Sequence, residues 1–221
     1  EEAQAAVDRL VKLPPGYYVT WGGQFENQQQ AMARLAIVVP LVIALIFLLL
    51  FFTFGNLRQA ALILLAIPFA MVGGLLALWL TGLYLSVPAS VGFIALFGLA
   101  VETGIVMVIY LNDAMEQLVT LKGNSKETIT RADLREYVIA GAAKRLRPKL
   151  MTVSVSLFAL IPILWSHGVG SDVMKPIVLP MVGGVLTSAT HILLVTPLIF
   201  LMAKEYELRK HGKIEVLETK H

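Results

Sequence analysis

VGFIALFGLAVETGIVMVIYLN, residues 91–112, is an almost unbroken apolar run with one charge, Glu102, as its twelfth residue. A bilayer core of about 30 Å needs about 20 helical residues, so this stretch is long enough to cross. Insertion scales charge roughly 2.5–3.5 kcal/mol for an acidic or basic residue at the centre of such a helix. A helix that keeps Glu102 there needs a proton or an opposite charge to offset it. The stretch therefore reads as a transmembrane helix carrying an intramembrane acid.

The remaining composition agrees. Of 221 residues, 57% are apolar and only 15% charged. Mean hydropathy is +0.76. Soluble domains carry about 25% charged residues, so the balance points to a membrane protein. Residues 1–33 are polar and amphipathic and lack the basic-then-apolar pattern of a cleavable signal. Glu1 in place of Met suggests a piece of a longer protein. Cysteine is absent, which excludes disulfides, thiolate metal sites and CxxC redox chemistry.

Five spans are expected, at 35–54, 60–80, 87–111, 148–166 and 176–203. Prolines 40, 68, 162, 180 and 197 fall inside them, as helix bundles tolerate. The chain then divides into 1–33, the spans of 34–111, a connector 112–147, the spans of 148–203 and a basic tail 204–221. In the connector, Thr130 and Asp133 form a capping-box pattern. Leu134, Val138, Ala142 and Leu146 come next on one face, with Arg131, Arg135, Lys144 and Arg145 elsewhere. This predicts a helix, either lying on the membrane surface or exposed without lipid contact. Five spans put Arg58, the connector, Lys149 and the tail on one side, with fourteen of the eighteen basic residues. That side is expected to be cytoplasmic. Ahead of the first span, LPPGYYVTWGGQFENQQQAM reads as turn, short strand (Tyr18 to Trp21) and polar lead-in helix, the end of an extramembrane domain. The string MVGG occurs at 71–74 and at 181–184, too short an echo to establish a repeat.

Helical rise compares the depths of the intramembrane charges. Glu102 lies roughly 22 Å below Val87, Lys149 roughly 25 Å below Ser166 and His191 roughly 22 Å below Pro176. Three ionisable groups on three spans are thus expected in one layer. Two readings stand for Lys149: it snorkels to the headgroups, or its helix begins before Pro148 and draws it inward. Glu102 is either a structural acid or a proton carrier, and His191 either a core histidine or a further titratable group. Burial and a nearby lysine would push the proton affinity of Glu102 in opposite directions.

Other chemistry finds no support. No GxxxxGK[ST] is present for ATP, no HExxH for a metalloprotease, and nothing groups Ser and His as a triad. Of eight methionines, Met107 and Met181 need no explanation beyond packing. Met174, in GVGSDVMKP at the far mouth of the fifth span, is either a helix-end packing residue or a soft ligand for Cu(I) or Ag(I).

LPPGYYVTWGGQFENQQQA, VGFIALFGLAVETGIVMVIYLNDA, RLRPKLMTV and IPILWSHGVGSDVMKPIVLPMVGGVLTS occur here in order. Together they resemble the heavy-metal efflux branch of the resistance-nodulation-division (RND) transporters, over almost the whole chain. The resemblance implies an all-α membrane protein, with five transmembrane helices plus a cytoplasmic interfacial helix. Residues 1–33 would be a short remnant of a periplasmic α/β porter domain. It implies a proton-driven antiporter of Cu(I), Ag(I) or a related cation, with no bound cofactor and no enzymatic activity. Expected partners are the N-terminal membrane half and porter domains of the same pump, two further copies in a homotrimer, a periplasmic adaptor and an outer-membrane channel. The lipid of a bacterial inner membrane surrounds it, and nucleic acid is not a partner. Glu102 and Lys149 match a proton relay of the copper/silver type, whose third member, an aspartate, belongs to the N-terminal half. Met174 matches a methionine of the metal path. His191 stands where an aliphatic residue is expected. The rival expectation is a non-transporting scaffold or truncated remnant that acts by helix packing.

Overall fold

The computed structural model describes residues 24–125 and 129–211, with 7, 9–11 and 14. The predicted strand at Tyr18 to Trp21 and the end of the basic tail, 212–221, lie outside the described residues. The chain divides into two units, Glu1–Val38 and Val39–His221. In the first, a short helical stretch has the Val11 N–H bonded to the Val7 carbonyl at 2.9 Å.

Every described element is helical, and five helical runs among the described residues are long and apolar enough to cross a membrane. They are α1 (Gln24–Phe54), the pair α2 (Leu57–Leu64) and α3 (Ala66–Thr81), α4 (Val87–Ser125), α5 (Arg131–Trp165), and α6 (Ser171–Thr190), which continues through a π-helical turn (His191–Val195) into α7 (Thr196–His211). The expected all-α membrane fold is what the chain adopts.

Local chemistry sets the boundaries. Gly55, with φ 60°, closes α1, and the Asn56 side chain caps α2 by accepting from the Arg58 N–H at 2.9 Å. Pro68 offers no N–H to the Leu64 carbonyl, and the helix breaks at Leu65 between α2 and α3. At Gly82, with φ 68°, the Gly82 N–H reaches Trp79 and the Leu83 N–H reaches Leu78, both at 3.1 Å. This is a Schellman ending, which needs a left-handed residue and so favours glycine. Pro197 similarly removes a donor from the last span. There the chain takes a π-turn, with the Thr196 N–H bonded to the His191 carbonyl five residues back.

One expectation is corrected here. The connector does not form a separate interfacial helix. Its capping box forms as predicted, with Thr130 N–H donating to Asp133 Oδ2 at 2.9 Å and Asp133 N–H to Thr130 Oγ1 at 3.3 Å. These bonds, from the Thr130 backbone first, hold the Asp133 carboxyl below the usual carboxylate range, with Lys122 at 3.4 Å adding to the effect. From that cap, however, one unbroken helix of 35 residues runs into the fourth span. The reason lies in α4, which runs on past residue 111 to Ser125. Its Leu111, Met115 and Leu118 share a buried cluster with Leu134 and Val138, and Gly141 sits against Ala114 and Tyr110. A protein surface covers Leu134 and Val138 of the predicted apolar face, while Leu146 at its end stays exposed.

The MVGG echo acquires a physical meaning here. The two copies meet. A Cβ on Gly73 would strike the Gly183 carbonyl oxygen, and one on Gly183 would strike the Gly73 carbonyl oxygen. Thr187 locks the crossing by donating to the Phe69 carbonyl at 3.0 Å. The echo is the crossing point of α3 and α6, where small residues let backbones touch.

Candidate intramembrane charge site

Lys149 is 5% exposed, so it does not snorkel. The unbroken course of α5 through Pro148 carries it inward, as the second of the two readings requires. Its Nζ donates to Thr103 Oγ1 at 2.9 Å, and that hydroxyl donates its own hydrogen to the Leu99 carbonyl at 2.7 Å. With its one proton committed, Thr103 has only lone pairs to offer the ammonium. It is the sole hydrogen-bond partner of Lys149 among the described residues.

Glu102 precedes Thr103 on α4 and is exposed. It makes no hydrogen bond or ion pair among the described residues, although its charge and that of Arg145 both act on Lys149. Arg145 is itself held over the Tyr110 ring, 4.9 Å from the centroid. The structure thus brings Lys149 to the same turn of α4 as Glu102, bonded to the neighbouring threonine and not to the acid.

His191 bonds to neither of them. It is 1% exposed, at the start of the π-turn, stacked on Phe69 with ring centroids 4.2 Å apart. Met174 lies in the first turn of α6, roughly 25 Å of helix from His191, and is half exposed. Among the described residues no cluster of three His, Cys, Asp or Glu is placed to hold a metal.

Sequence reasoning missed Thr103. A hydroxyl inside a membrane helix usually bonds back to its own turn, as this one does, and nothing in the pattern signals the second bond. It also missed the polar contacts at the opposite end from Met174. Gln59 and Asn112 exchange amide hydrogen bonds at 2.9 and 3.1 Å. Glu207 accepts from Lys204 at 2.9 Å and Arg58 at 3.2 Å, and Glu205 from Arg135 at 3.2 Å. Arg58, the connector and the tail were placed on one side by counting spans, and these pairs put them in contact.

The model of the AcrB/AcrD/AcrF family matches residues 1–204. The chain belongs to that family. Within it, this AcrB-family chain is 41% identical over 202 residues to the cobalt-zinc-cadmium resistance protein CzcA of Cupriavidus metallidurans. It is 42% identical over 196 residues to the cation efflux system protein CusA of Escherichia coli K12. These alignments cover 91% and 89% of the chain but only 18% of either relative, so the chain spans about a fifth of their length. The crystal structure of a heavy metal efflux pump superposes with a TM-score of 0.74 at 43% identity, covering 92% of this chain and 19% of that one. The resemblance to the heavy-metal branch of the RND transporters therefore holds.

The Lys149–Thr103 bond yields a prediction. Thr103→Val keeps the shape and removes the acceptor, leaving a buried ammonium unpartnered within the chain. Hydrogen bonds to charged groups contribute about 1.5–3 kcal/mol. Thr103→Val is expected to lower the melting temperature of the purified protein, and Thr103→Ser to recover most of the loss. Equal melting of the Val and Ser variants would show that the bond contributes nothing.

Proposed function

We propose that this chain is a membrane portion of a proton-driven heavy-metal efflux pump, with Glu102 and Lys149 as part of its proton pathway. The observation that carries the reading is the buried Lys149, bonded to Thr103 beside an intramembrane acid that has no partner of its own among the described residues. Intramembrane ionisable groups are costly and mark proton or ion paths. An exposed acid at that depth suits a relay completed by a side chain from another part of the pump. Membership of the heavy-metal branch supports the same reading.

The pump would work as a homotrimer in a bacterial inner membrane, with a periplasmic adaptor and an outer-membrane channel. Residues 1–33 would be the end of its porter domain, and the C-terminus cytoplasmic. Met174, at the far end of α6 from the charge layer, would lie on the metal path. Metal and proton would then never share a site. Coupling would pass through helix movement, both sites biasing one alternating-access equilibrium.

Identity does not choose the metal, since relatives named for different cations match almost equally. Met174 does bear on it. A thioether favours Cu(I) or Ag(I) over Zn(II), which prefers imidazole, thiolate or carboxylate. The test places the complete pump in proteoliposomes and follows proton entry. Proton flux that starts on adding Cu(I) or Ag(I) supports the reading, and metal-independent flux or none sinks it. Met174→Ile, similar in bulk without sulfur, is expected to weaken copper and silver resistance while leaving trimer assembly intact. Parental efflux by that variant would reduce Met174 to packing.

A further inference from the structure

His191 has no role in the pathway above, yet its setting is hard to explain as packing. It is 1% exposed, and neither Nδ1 nor Nε2 has a hydrogen-bond partner among the described residues. A neutral imidazole carries one donor and one acceptor, and leaving both unmade in apolar surroundings destabilises the fold. Phenylalanine would keep the stack on Phe69 without that penalty. A second observation is independent of burial. His191 opens the π-helical turn, whose widened bond joins its own carbonyl to the Thr196 N–H. Such turns inside helices are frequent at functional sites, and they reset the register of the helix beyond them.

The helix beyond this turn is α7. Its far end is tied to α2 by Arg58–Glu207 and to α5, the helix bearing Lys149, by Arg135–Glu205. A change at the turn would thus reach the Lys149 helix through α7.

The charged groups around the imidazole are few. The turn packs against α3, α4, α6 and α7. Helix α3 carries no titratable side chain, and α6 carries Asp172 and Lys175, both in its first two turns at the opposite end. The first charge on α7 is Lys204, which is paired with Glu207. Helix α4 brings Glu102 at a comparable depth by helical rise. None of these bonds to His191.

We infer that His191 is a further proton-binding group of the antiport cycle, neutral and stacked on Phe69 in the conformation described here. In the alternative conformation the π-turn repacks, and a ring nitrogen lone pair takes up the driving proton, delivered as hydronium that leaves as water. The imidazolium then holds two N–H donors and a positive charge, and the stacked position offers neither N–H an acceptor among the described residues. Protonation and the stacked geometry therefore exclude each other, and that exclusion would link proton occupancy to the position of α7. The inference rests on the antiport reading.

The test uses the complete pump, with Glu102→Gln, His191→Phe and His191→Leu measured side by side. His191→Phe is expected to melt at a higher temperature than the parent. Its metal-driven proton flux should fall and lose the inflection at about pH 6.5, the ordinary histidine range. Higher stability with parental flux and an unchanged pH profile would overturn the inference and leave a packing residue. Should either variant fail to assemble, NMR of the parental pump labelled at histidine decides. A ring that titrates between about pH 5 and 8 supports the inference, and one that stays neutral throughout overturns it. Glu102→Gln separates the two levels. If it still transports, the antiport reading itself fails. If it is inactive while His191→Phe behaves as the parent, only the histidine inference falls.

Discussion

Glu102→Gln in the complete pump is expected to abolish metal resistance and metal-driven proton flux while leaving assembly unchanged. Glutamine matches the acid in shape and cannot carry a proton between two states. Within this chain Glu102 makes no hydrogen bond or ion pair among the described residues, so substitution breaks nothing here that holds the helices together. Removing a charge from the membrane also removes a cost of roughly 2.5–3.5 kcal/mol. A structural acid would behave in the opposite way, since its loss would weaken assembly before transport. The measurement is therefore paired: growth in copper or silver, and recovery of the trimer from the same membranes. Normal growth rules the relay out, and a poorly assembled variant assigns Glu102 to structure.

Lys149→Met should give the same phenotype, and the geometry says why it should fold. Methionine is unbranched and apolar and suits the buried space. Thr103 loses a donor but not its own satisfied proton, which stays on the Leu99 carbonyl at 2.7 Å. Unlike Thr103→Val, this variant removes the buried charge together with its need for a partner. The two threonine-site variants thus report on stability and the lysine variant on transport. Thr103→Val unstable with Lys149→Met stable but inactive is the pattern expected of a buried, functional lysine.

The charge layer was legible because a membrane makes each ionisable residue conspicuous and helical rise converts spacing into depth. Counting residues down from the span ends brought Glu102 and Lys149 to one level, and the fold places them on adjoining helices. The capping box at Thr130 was equally legible, since it depends only on residues three apart. Partnership was less so. Residues 102 and 103 point about 100° apart on a helix, and depth does not say which of them faces α5. The connector misled for a related reason. An apolar stripe on a basic helix serves a membrane surface or a neighbouring helix equally well, and only the continuation of α4 past residue 111 decides between them. Pro197 could have signalled the π-turn, because it removes a donor from the helix two residues beyond Val195. Proline inside a span is common enough that the signal was weak.

Gly183→Val is expected to be the most damaging single substitution outside the charge layer. The two MVGG copies, too short to establish a repeat, form one crossing, with Gly73 and Gly183 set backbone to backbone. A side chain at Gly183 meets the Gly73 carbonyl and the Ala77 methyl, and one at Gly73 meets Gly183 and Thr187. Overpacking a core usually costs about 1–3 kcal/mol, because side chains find other rotamers. A backbone carbonyl has no rotamer to change, so the cost here should reach the top of that range or pass it. The helices would have to separate, and Thr187 would lose its bond to the Phe69 carbonyl across the crossing. Phe69 also carries the His191 stack, so the damage would spread toward the π-turn. Gly183→Ala should show a smaller effect of the same sign. The measurement is the yield of folded protein from membranes and its melting temperature, in the order parent, Ala, Val. A Val variant that melts with the parent would mean that α3 and α6 do not cross at these glycines, and the placement of Phe69 against His191 would fall with it.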